Sequence, residues 1–243
     1  MKTELIRYGN GEKILFIHGA GGSAKSWLYQ TEGLKSEVEV IAADLPGHGK
    51  ASDTSGCTSI EAYRDSIHST LVSSGVERLY LAGHSMGGAV AISFTLAFPD
   101  MVKGIILVGT GARLRVFPQI LEGIMNDKEK TLKSIIEYAV SNKASDALKK
   151  NCFEEMMKCT AEVIYSDFYA CDRFNAMNDL NRIHTASLII CGTEDLLTPP
   201  KYSMYLKENI KGSELVLIKD AGHMVMMEKP DEVNKAIIKF LKG

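Results

Sequence analysis

Short apolar runs alternate along the chain with longer segments in which apolar residues recur at helical spacing. Each short run is rich in β-branched residues, and its apolar character is nearly continuous. This pattern is typical of strands that are buried on both faces of a parallel sheet. Six runs show it, at residues 13–18, 38–44, 78–83, 103–109, 187–192 and 214–219.

A weaker apolar run at residues 3–8 predicts one more strand. The segment Gly9-Asn10-Gly11 separates it from the run at 13–18, and such a sequence favours a tight β-turn. We therefore expect these first two strands to pair as an antiparallel hairpin.

Helices are predicted between the strands, where apolar residues recur every three or four positions. Residues 85–98 are apolar almost all round and end at Pro99, which predicts a helix buried under other layers. Strands alternating with helices predict right-handed crossovers and an α/β fold, with helices on both faces of a mostly parallel sheet. The two clearest helical stripes are Ile60, Tyr63, Ile67 and Leu71, and Val233, Ile237, Phe240 and Leu241.

One long segment interrupts this alternation. Between residues 110 and 185 no convincing strand pattern occurs, and much of the chain's methionine and aromatic content lies there. We interpret residues 110–185 as a helical lid inserted into a core of residues 1–109 and 186–243. Most of its apolar side chains are expected to pack the insertion against the core. A methionine-rich surface over a sheet edge also suits the wall of an apolar substrate pocket.

Composition narrows the possible classes of protein. The chain has 243 residues, 45% hydrophobic and 24% charged, as in an ordinary globular domain. A formal net charge of −2 gives no basic face for nucleic acid. No apolar run approaches the roughly 20 residues of a membrane span, and the first residues lack the apolar core of a signal peptide, so we expect a cytoplasmic protein. The five scattered cysteines contain no CxxC pair, and we expect reduced thiols and no metal site.

The sharpest chemical feature is the segment Gly83-His84-Ser85-Met86-Gly87-Gly88, which lies between a predicted strand and a predicted helix. A tight turn there would hold the Ser85 hydroxyl out of the packed layers and strain the serine backbone. Such a turn leaves no room for side chains two residues before and two residues after the serine, and both positions are glycine. The alternative is a glycine-rich turn that only permits close packing.

A serine hydroxyl becomes a good nucleophile when a base removes its proton, and the base needs an acceptor that orients it. His223 directly follows the last predicted strand, and Asp195 follows the strand before it. The carboxyl ends of parallel strands share one edge of the sheet, where ligands bind in such folds. We therefore expect Ser85, His223 and Asp195 to form a catalytic triad, with Glu194 as the competing carboxylate.

Residues 18–22 (HGAGG) follow the first strong strand as a loop that can expose backbone N–H groups. A tetrahedral oxyanion needs two such donors. We predict the N–H groups of Ala20 and Met86, with Gly21 as the substitute for Ala20. The alternative, a phosphate-binding loop, is disfavoured because Ala24 stands where the dinucleotide pattern has its last glycine.

The roles of other histidines and of the pocket wall are predicted from their positions in the chain. His68 and His184 are expected to be structural or exposed, whereas His18 and His84 flank the site and would shape it through local hydrogen bonds, without a catalytic role. The expected pocket wall comprises Gly19, Gly21, Trp27, His84 and Met224.

These motifs resemble those of the α/β-hydrolase superfamily, and in particular its small lid-bearing serine hydrolases. The resemblance covers nearly the whole chain and includes GHSMGG, HGAGG, the segment DLPGHGKAS at residues 44–52, the acid motif GTEDLLTP and the histidine motif GHMVMMEKP. It implies a sheet of seven or eight strands and a lid after the sixth strand of the family's count. It also places Ser85, Asp195 and His223 in the triad positions, in the family's chain order.

The resemblance implies a carboxylic ester hydrolase that works through an acyl-enzyme, takes a small-molecule ester, needs no cofactor and is a monomer or homodimer. A serine nucleophile argues against haloalkane dehalogenases and epoxide hydrolases. Met224 stands where the carbon–carbon bond hydrolases of this superfamily usually carry tryptophan. Lactonase, thioesterase, perhydrolase and carbon–carbon hydrolase activities are the alternatives on the same fold. A ligand sensor using the same pocket is the alternative outside enzymes.

Overall fold

The computed structural model describes residues 2–53 and 55–243; Met1 and Thr54, which belong to the predicted core, lie outside the described residues. In the described part of the chain seven strands form one sheet: β1 (Glu4–Tyr8), β2 (Lys13–Ile17), β3 (Glu39–Asp44), β4 (Leu79–His84), β5 (Val102–Val108), β6 (Ala186–Gly192) and β7 (Glu214–Ile218). Their order across the sheet is β1-β3-β2-β4-β5-β6-β7, and every neighbouring pair except β1 with β3 is parallel. The predicted α/β sheet is confirmed.

The predicted hairpin between the first two strands is wrong, because β1 pairs antiparallel with β3. β2 is buried on both faces and lies between β3 and β4, so no edge of it is left for β1. β1 is only partly buried, which suits the edge of the sheet. The turn at Gly9 packs closely on the connection that leads into β3, where a Cβ on Gly9 would come within 2.3 Å of Lys35 O.

Helices cover both faces of the sheet: α1 (Leu28–Leu34), α2 (Ile60–Ser73), α3 (Met86–Ala97), α4 (Pro118–Asn126), α5 (Lys128–Ala139), α6 (Asp146–Met157), α7 (Ala161–Arg173), α8 (Pro200–Asn209), α9 (Val225–Glu228) and α10 (Pro230–Lys242). One core cluster lies under α2, α3 and α8, and a second lies under α1, α9 and α10. α3 is buried continuously from Met86 to Thr95, as its apolar sequence predicts. None of the described helices combines the length and the apolar character that crossing a membrane demands.

The segment between β5 and β6 is helical and contains α4 to α7. Asp127, Ser145 and Thr160 cap α5, α6 and α7, and each side chain accepts the N–H three residues further on. These helices share a third apolar cluster, against which Met224 and Met227 of the core also pack. The helical character of the segment is confirmed, and its role as a lid stays a prediction.

The parallel strands bring four loops to one edge of the sheet. The loop at residues 18–22 follows β2, Ser85 follows β4, Asp195 follows β6 and His223 follows β7. The chemistry predicted from the sequence therefore converges where the carboxyl ends of the strands meet.

Candidate active site

Ser85 stands on the tight turn between β4 and α3. Its backbone angles, φ 53° and ψ −116°, lie in a region that strains a residue with a side chain, as the sequence predicts. A Cβ on Gly83 would come within 2.1 Å of Gly87 O, and a Cβ on Gly87 would come within 2.2 Å of Ile17 O, so neither position admits a side chain. Thr110 Oγ1 donates a 2.7 Å hydrogen bond to the Ser85 carbonyl and fixes the turn.

The Ser85 side chain opens into a cavity of about 320 Å³ that His223 also lines. Its hydroxyl makes no hydrogen bond to any residue that the structure describes. In enzymes without bound substrate, the bond between nucleophile and base is often long and shortens when substrate binds. The serine is thus accessible to a ligand in the cavity.

His223 and Asp195 form a hydrogen-bonded pair beside the serine. Nδ1 of His223 lies 2.9 Å from Asp195 Oδ2, and Thr198 Oγ1 donates to the same oxygen at 2.8 Å. Asp195 Oδ1 accepts the backbone N–H groups of Leu197 at 2.9 Å and Thr198 at 2.8 Å. Because the ionised carboxylate can only accept, Nδ1 of His223 carries a proton, and Nε2 is the nitrogen that can act as a base.

The Asp195 carboxyl stays ionised although it is buried. Burial acts to raise its pKa, but the charge of His223 and the hydrogen bonds from His223 and Thr198 outweigh burial and hold the pKa below its ordinary value. Glu194, the competing carboxylate, instead accepts the N–H of Asn142 at 3.4 Å. The structure therefore pairs the histidine with the aspartate.

The loop at residues 18–22 forms a hydrogen-bonded turn beside the cavity. Gly22 N–H donates to Gly19 O at 3.1 Å, and His18 Nδ1 lies 2.8 Å from the same oxygen. His18 Nε2 accepts the Leu45 N–H at 3.2 Å, so Nδ1 is the protonated nitrogen of this ring. A trans peptide unit directs its C=O and N–H to opposite sides, and the fixed Gly19 carbonyl therefore sets the direction of the Ala20 N–H.

The second predicted donor is the N–H of Met86, at the start of α3. Met86 is the first residue of α3, and its N–H is among those that have no carbonyl of a preceding turn to bond. The N-terminus of α3 also carries the positive end of the helix dipole. Ala20 and Ser85 both line the cavity.

A buried polar cluster behind this loop was not foreseen from the sequence. Asp167 of α7 accepts the Gly21 N–H at 2.8 Å through Oδ2, which also lies 2.8 Å from His48 Nε2. Its Oδ1 accepts the Tyr63 hydroxyl. His48 Nδ1 lies 3.0 Å from Pro46 O, so both ring nitrogens face acceptors, as expected for an imidazolium.

The charge of His48 follows from these contacts. Burial acts to lower its pKa, but the charge of Asp167 and the hydrogen bond to it outweigh burial and raise the pKa above its ordinary value. Burial and the neighbouring His223 lower the pKa of His84 to about 3, so this ring is neutral. Its Nε2 lies 3.0 Å from His223 O, which is the local structural role that the sequence predicts.

The cavity wall is mostly apolar and comes from both the core and the inserted helices. Gly19, His84 and Met224 line it as predicted. Trp27 does not, because its indole is fully buried against Phe16, with ring centres 4.7 Å apart. The apolar lining residues are Ala20, Leu28, Tyr29, Ile135, Ile136, Ala139, Cys152, Met156, Phe168, Leu197, Met224 and Met227.

Gly21 also departs from its predicted role. It lies outside the cavity lining and packs on Met156, whose Cε would be 2.9 Å from a Cβ at this position. Its N–H is bonded to Asp167. Gly21 is therefore not available as a substitute oxyanion donor, and Ala20 and Met86 remain the predicted pair.

Residues 14–236 match the family model described as the alpha/beta hydrolase family. The chain belongs to the alpha/beta hydrolase family. The match spans both parts of the sheet and the inserted helices. Membership in this family supports a hydrolase.

This alpha/beta hydrolase is similar to several proteins over nearly its whole length. The solved structure of a thermophilic esterase has 36% sequence identity and a TM-score of 0.87, covering 99% of this chain and 93% of that one. The pimeloyl-[acyl-carrier protein] methyl ester esterase of Neisseria meningitidis is 25% identical over 96% of this chain and 94% of its own length. The dihydrolipoyllysine-residue acetyltransferase component of the acetoin cleaving system of Pseudomonas putida is 28% identical over 96% of this chain, which spans only 64% of that protein.

Proposed function

We propose that this alpha/beta hydrolase is a serine carboxylic ester hydrolase that works through an acyl-enzyme. One observation carries the proposal: the free Ser85 hydroxyl opens into the same cavity as His223, whose Nδ1 lies 2.9 Å from Asp195. The likeness to a thermophilic esterase at 36% identity supports the same class of reaction.

In the proposed first step, His223 Nε2 takes the proton of the Ser85 hydroxyl while the serine oxygen bonds to the ester carbonyl carbon. The tetrahedral intermediate collapses when the bond between that carbon and the alcohol oxygen breaks, and His223 gives its proton to the departing alcohol. In the second step His223 takes a proton from water, whose oxygen bonds to the acyl carbon. The bond to Ser85 then breaks, the serine regains its proton, and the carboxylic acid leaves.

Two groups of this chain would stabilise the charges that form in both steps. The N–H groups of Ala20 and Met86 would hold the negative oxygen, and loss of one such donor costs roughly 10² to 10³ in rate. Asp195 would stabilise the imidazolium of His223 each time it forms. Every step uses groups of this chain and water alone, so the proposal includes no cofactor.

The cavity supports a small to medium ester with an apolar acyl part. Its volume is about 320 Å³, and Ile135, Ile136 and Phe168 of the inserted helices form part of its wall. We propose that the segment at residues 110–185 covers the bound substrate as a lid and sets the length of acyl chain that fits.

A panel of p-nitrophenyl esters tests this proposal. We expect wild-type kcat/KM to peak at acyl chains of about four to eight carbons and to fall for longer chains that overfill the cavity. In Ile136→Trp the optimum should move to shorter chains, because the larger ring occupies the same apolar wall. Met125→Phe adds bulk on the exposed face of α4, outside the cavity, and should keep the wild-type profile.

The same panel separates the proposal from its alternatives. Turnover of lactones, acyl thioesters or carbon–carbon bonded diketones, with no turnover of any ester, would replace the ester hydrolase with another enzyme on this fold. A ligand-dependent rise in melting temperature with no turnover of any substrate class would favour a sensor.

A further inference from the structure

The buried cluster around Asp167 connects four separate parts of the chain. Asp167 comes from α7 of the inserted segment, Tyr63 from α2, His48 from the loop after β3, and Gly21 from the loop after β2. The catalytic steps proposed above use none of these three side chains, and they do not use the Gly21 amide. All three side chains are almost or completely removed from solvent.

We propose that Asp167 is a positioning residue for the oxyanion hole, acting through the Gly21 N–H on the turn that presents the Ala20 N–H. The inference rests on the proposed function, because it assumes that the Ala20 N–H binds the oxyanion. Asp167 does not line the cavity, so its effect on catalysis would be indirect.

The backbone of the turn shows how the contact acts. The bond from Gly22 N–H to Gly19 O closes a four-residue turn, and Gly21 at its third position has φ +64°, as a type II turn requires. The middle peptide unit of this turn, between Ala20 and Gly21, could otherwise flip over. Its N–H donates to Asp167 at 2.8 Å, which selects one orientation. The peptide unit next to it carries the Ala20 N–H.

The site requires a carboxylate and not only a polar group. Asp167 Oδ2 faces two donors at 2.8 Å, the Gly21 N–H and His48 Nε2. An amide oxygen could accept the backbone N–H, but it supplies no negative charge to keep His48 protonated. A neutral His48 has one proton for two acceptors, so either Nδ1 would face Pro46 O or Nε2 would face the residue at position 167 without a proton to donate.

Charge balance makes the arrangement compatible with catalysis. An unpaired carboxylate behind the oxyanion loop would oppose the negative charge that develops on the substrate. The imidazolium of His48 offsets that charge, and the Tyr63 hydroxyl bonds the remaining carboxylate oxygen. The pair therefore holds the loop without adding net charge beside the site.

The same contact joins the oxyanion loop to the inserted segment. Phe168, the residue after Asp167, lines the cavity, and Met156 of α6 packs on Gly21. The position of α7 is thus coupled to the backbone that would bind the oxyanion.

Asp167→Asn tests the inference in steady-state hydrolysis of p-nitrophenyl butyrate. We expect kcat to fall about 10- to 100-fold, less than for complete loss of one oxyanion donor, while KM changes by less than about threefold because the cavity wall is intact. Asp167→Ser, which is smaller and leaves room for water, is the second variant if the asparagine protein does not fold. Circular dichroism and thermal unfolding verify that each variant is native.

Two control variants distinguish positioning of the oxyanion turn from a general loss of packing around Asp167. Tyr63→Phe removes one hydrogen bond from the same carboxylate and leaves the contact with Gly21, so it should lower the melting temperature but keep kcat within about twofold of wild type. Glu162→Gln removes an exposed negative charge from the first turn of the same helix, where it bonds the Thr160 cap, so it should lower the melting temperature slightly and leave kcat unchanged. A kcat loss in Tyr63→Phe equal to that in the Asp167 variant would overturn the inference, because both changes would then act through loosened packing.

The outcomes also distinguish this inference from the proposed function. If wild-type protein hydrolyses no ester and Ser85 takes up no fluorophosphonate, the proposed function fails whatever Asp167 does. If the wild type is an active esterase and a folded Asp167→Asn protein keeps kcat within about twofold, only the positioning role is refuted.

Discussion

Ser85→Ala is expected to lower kcat/KM for p-nitrophenyl butyrate by about 10⁴- to 10⁶-fold, the range found when a triad nucleophile is removed. Alanine keeps the size of the turn but provides no oxygen to bond to the carbonyl carbon. The Cys152 thiol in the cavity is not a ready replacement, because burial raises its pKa to about 11 and keeps it protonated. Steady-state hydrolysis of the purified variant measures the loss.

Ser93→Ala is the matched control for this variant. Ser93 is a buried serine on α3, the helix that begins directly after Ser85, but it lies outside the cavity. It should retain wild-type turnover. If Ser85→Ala keeps more than about one hundredth of the wild-type kcat/KM, the rate cannot depend on a covalent bond to that serine.

Asp195→Asn is expected to lower kcat by about 10⁴-fold while the protein stays folded. The Oδ1 position accepts two backbone N–H groups, so the amide oxygen of asparagine must take that position. The NH₂ group then faces Nδ1 of His223, which has to become an acceptor. This places the histidine proton on Nε2, and the ring can no longer take the proton of Ser85.

Glu194, the neighbouring carboxylate, provides the control for the Asp195 variant. Glu194→Gln removes the same charge one residue earlier, where the side chain accepts the Asn142 N–H, and should keep kcat within about threefold. A large loss in Glu194→Gln with a small loss in Asp195→Asn would reassign the acid of the triad. The kcat of both variants at pH 7 to 8 provides the comparison.

The sheet was predictable because its strands are buried on both faces and therefore read as continuous apolar runs. The error in the pairing of β1 has a physical origin, since Gly9-Asn10-Gly11 indicates a local turn but carries no information about which strand will lie beside it. The partner of β1 depends on β2, because both edges of β2 are occupied by parallel strands that come later in the chain, β3 and β4.

The convergence of Ser85, His223 and Asp195 was predictable because each of them directly follows a strand, and strand ends meet at one edge. Trp27 was misplaced because an aromatic residue close to a glycine loop suits both a pocket wall and a core, and only packing on Phe16 decides between them. Asp167 carried a readable signal that was overlooked: it falls on the buried face of α7 with Val163, Ile164 and Ala170. A carboxylate at such a position needs partners, but its spacing in the chain could not identify Gly21, His48 and Tyr63.

The central claim is that Ser85 is an activated nucleophile, and labelling with a fluorophosphonate followed by peptide mapping tests it most directly. We expect one adduct per chain on the peptide that contains Ser85, no adduct in Ser85→Ala, and slower labelling in Asp195→Asn. A natively folded wild-type protein that hydrolyses esters but carries the adduct on another residue, or none at all, would contradict it.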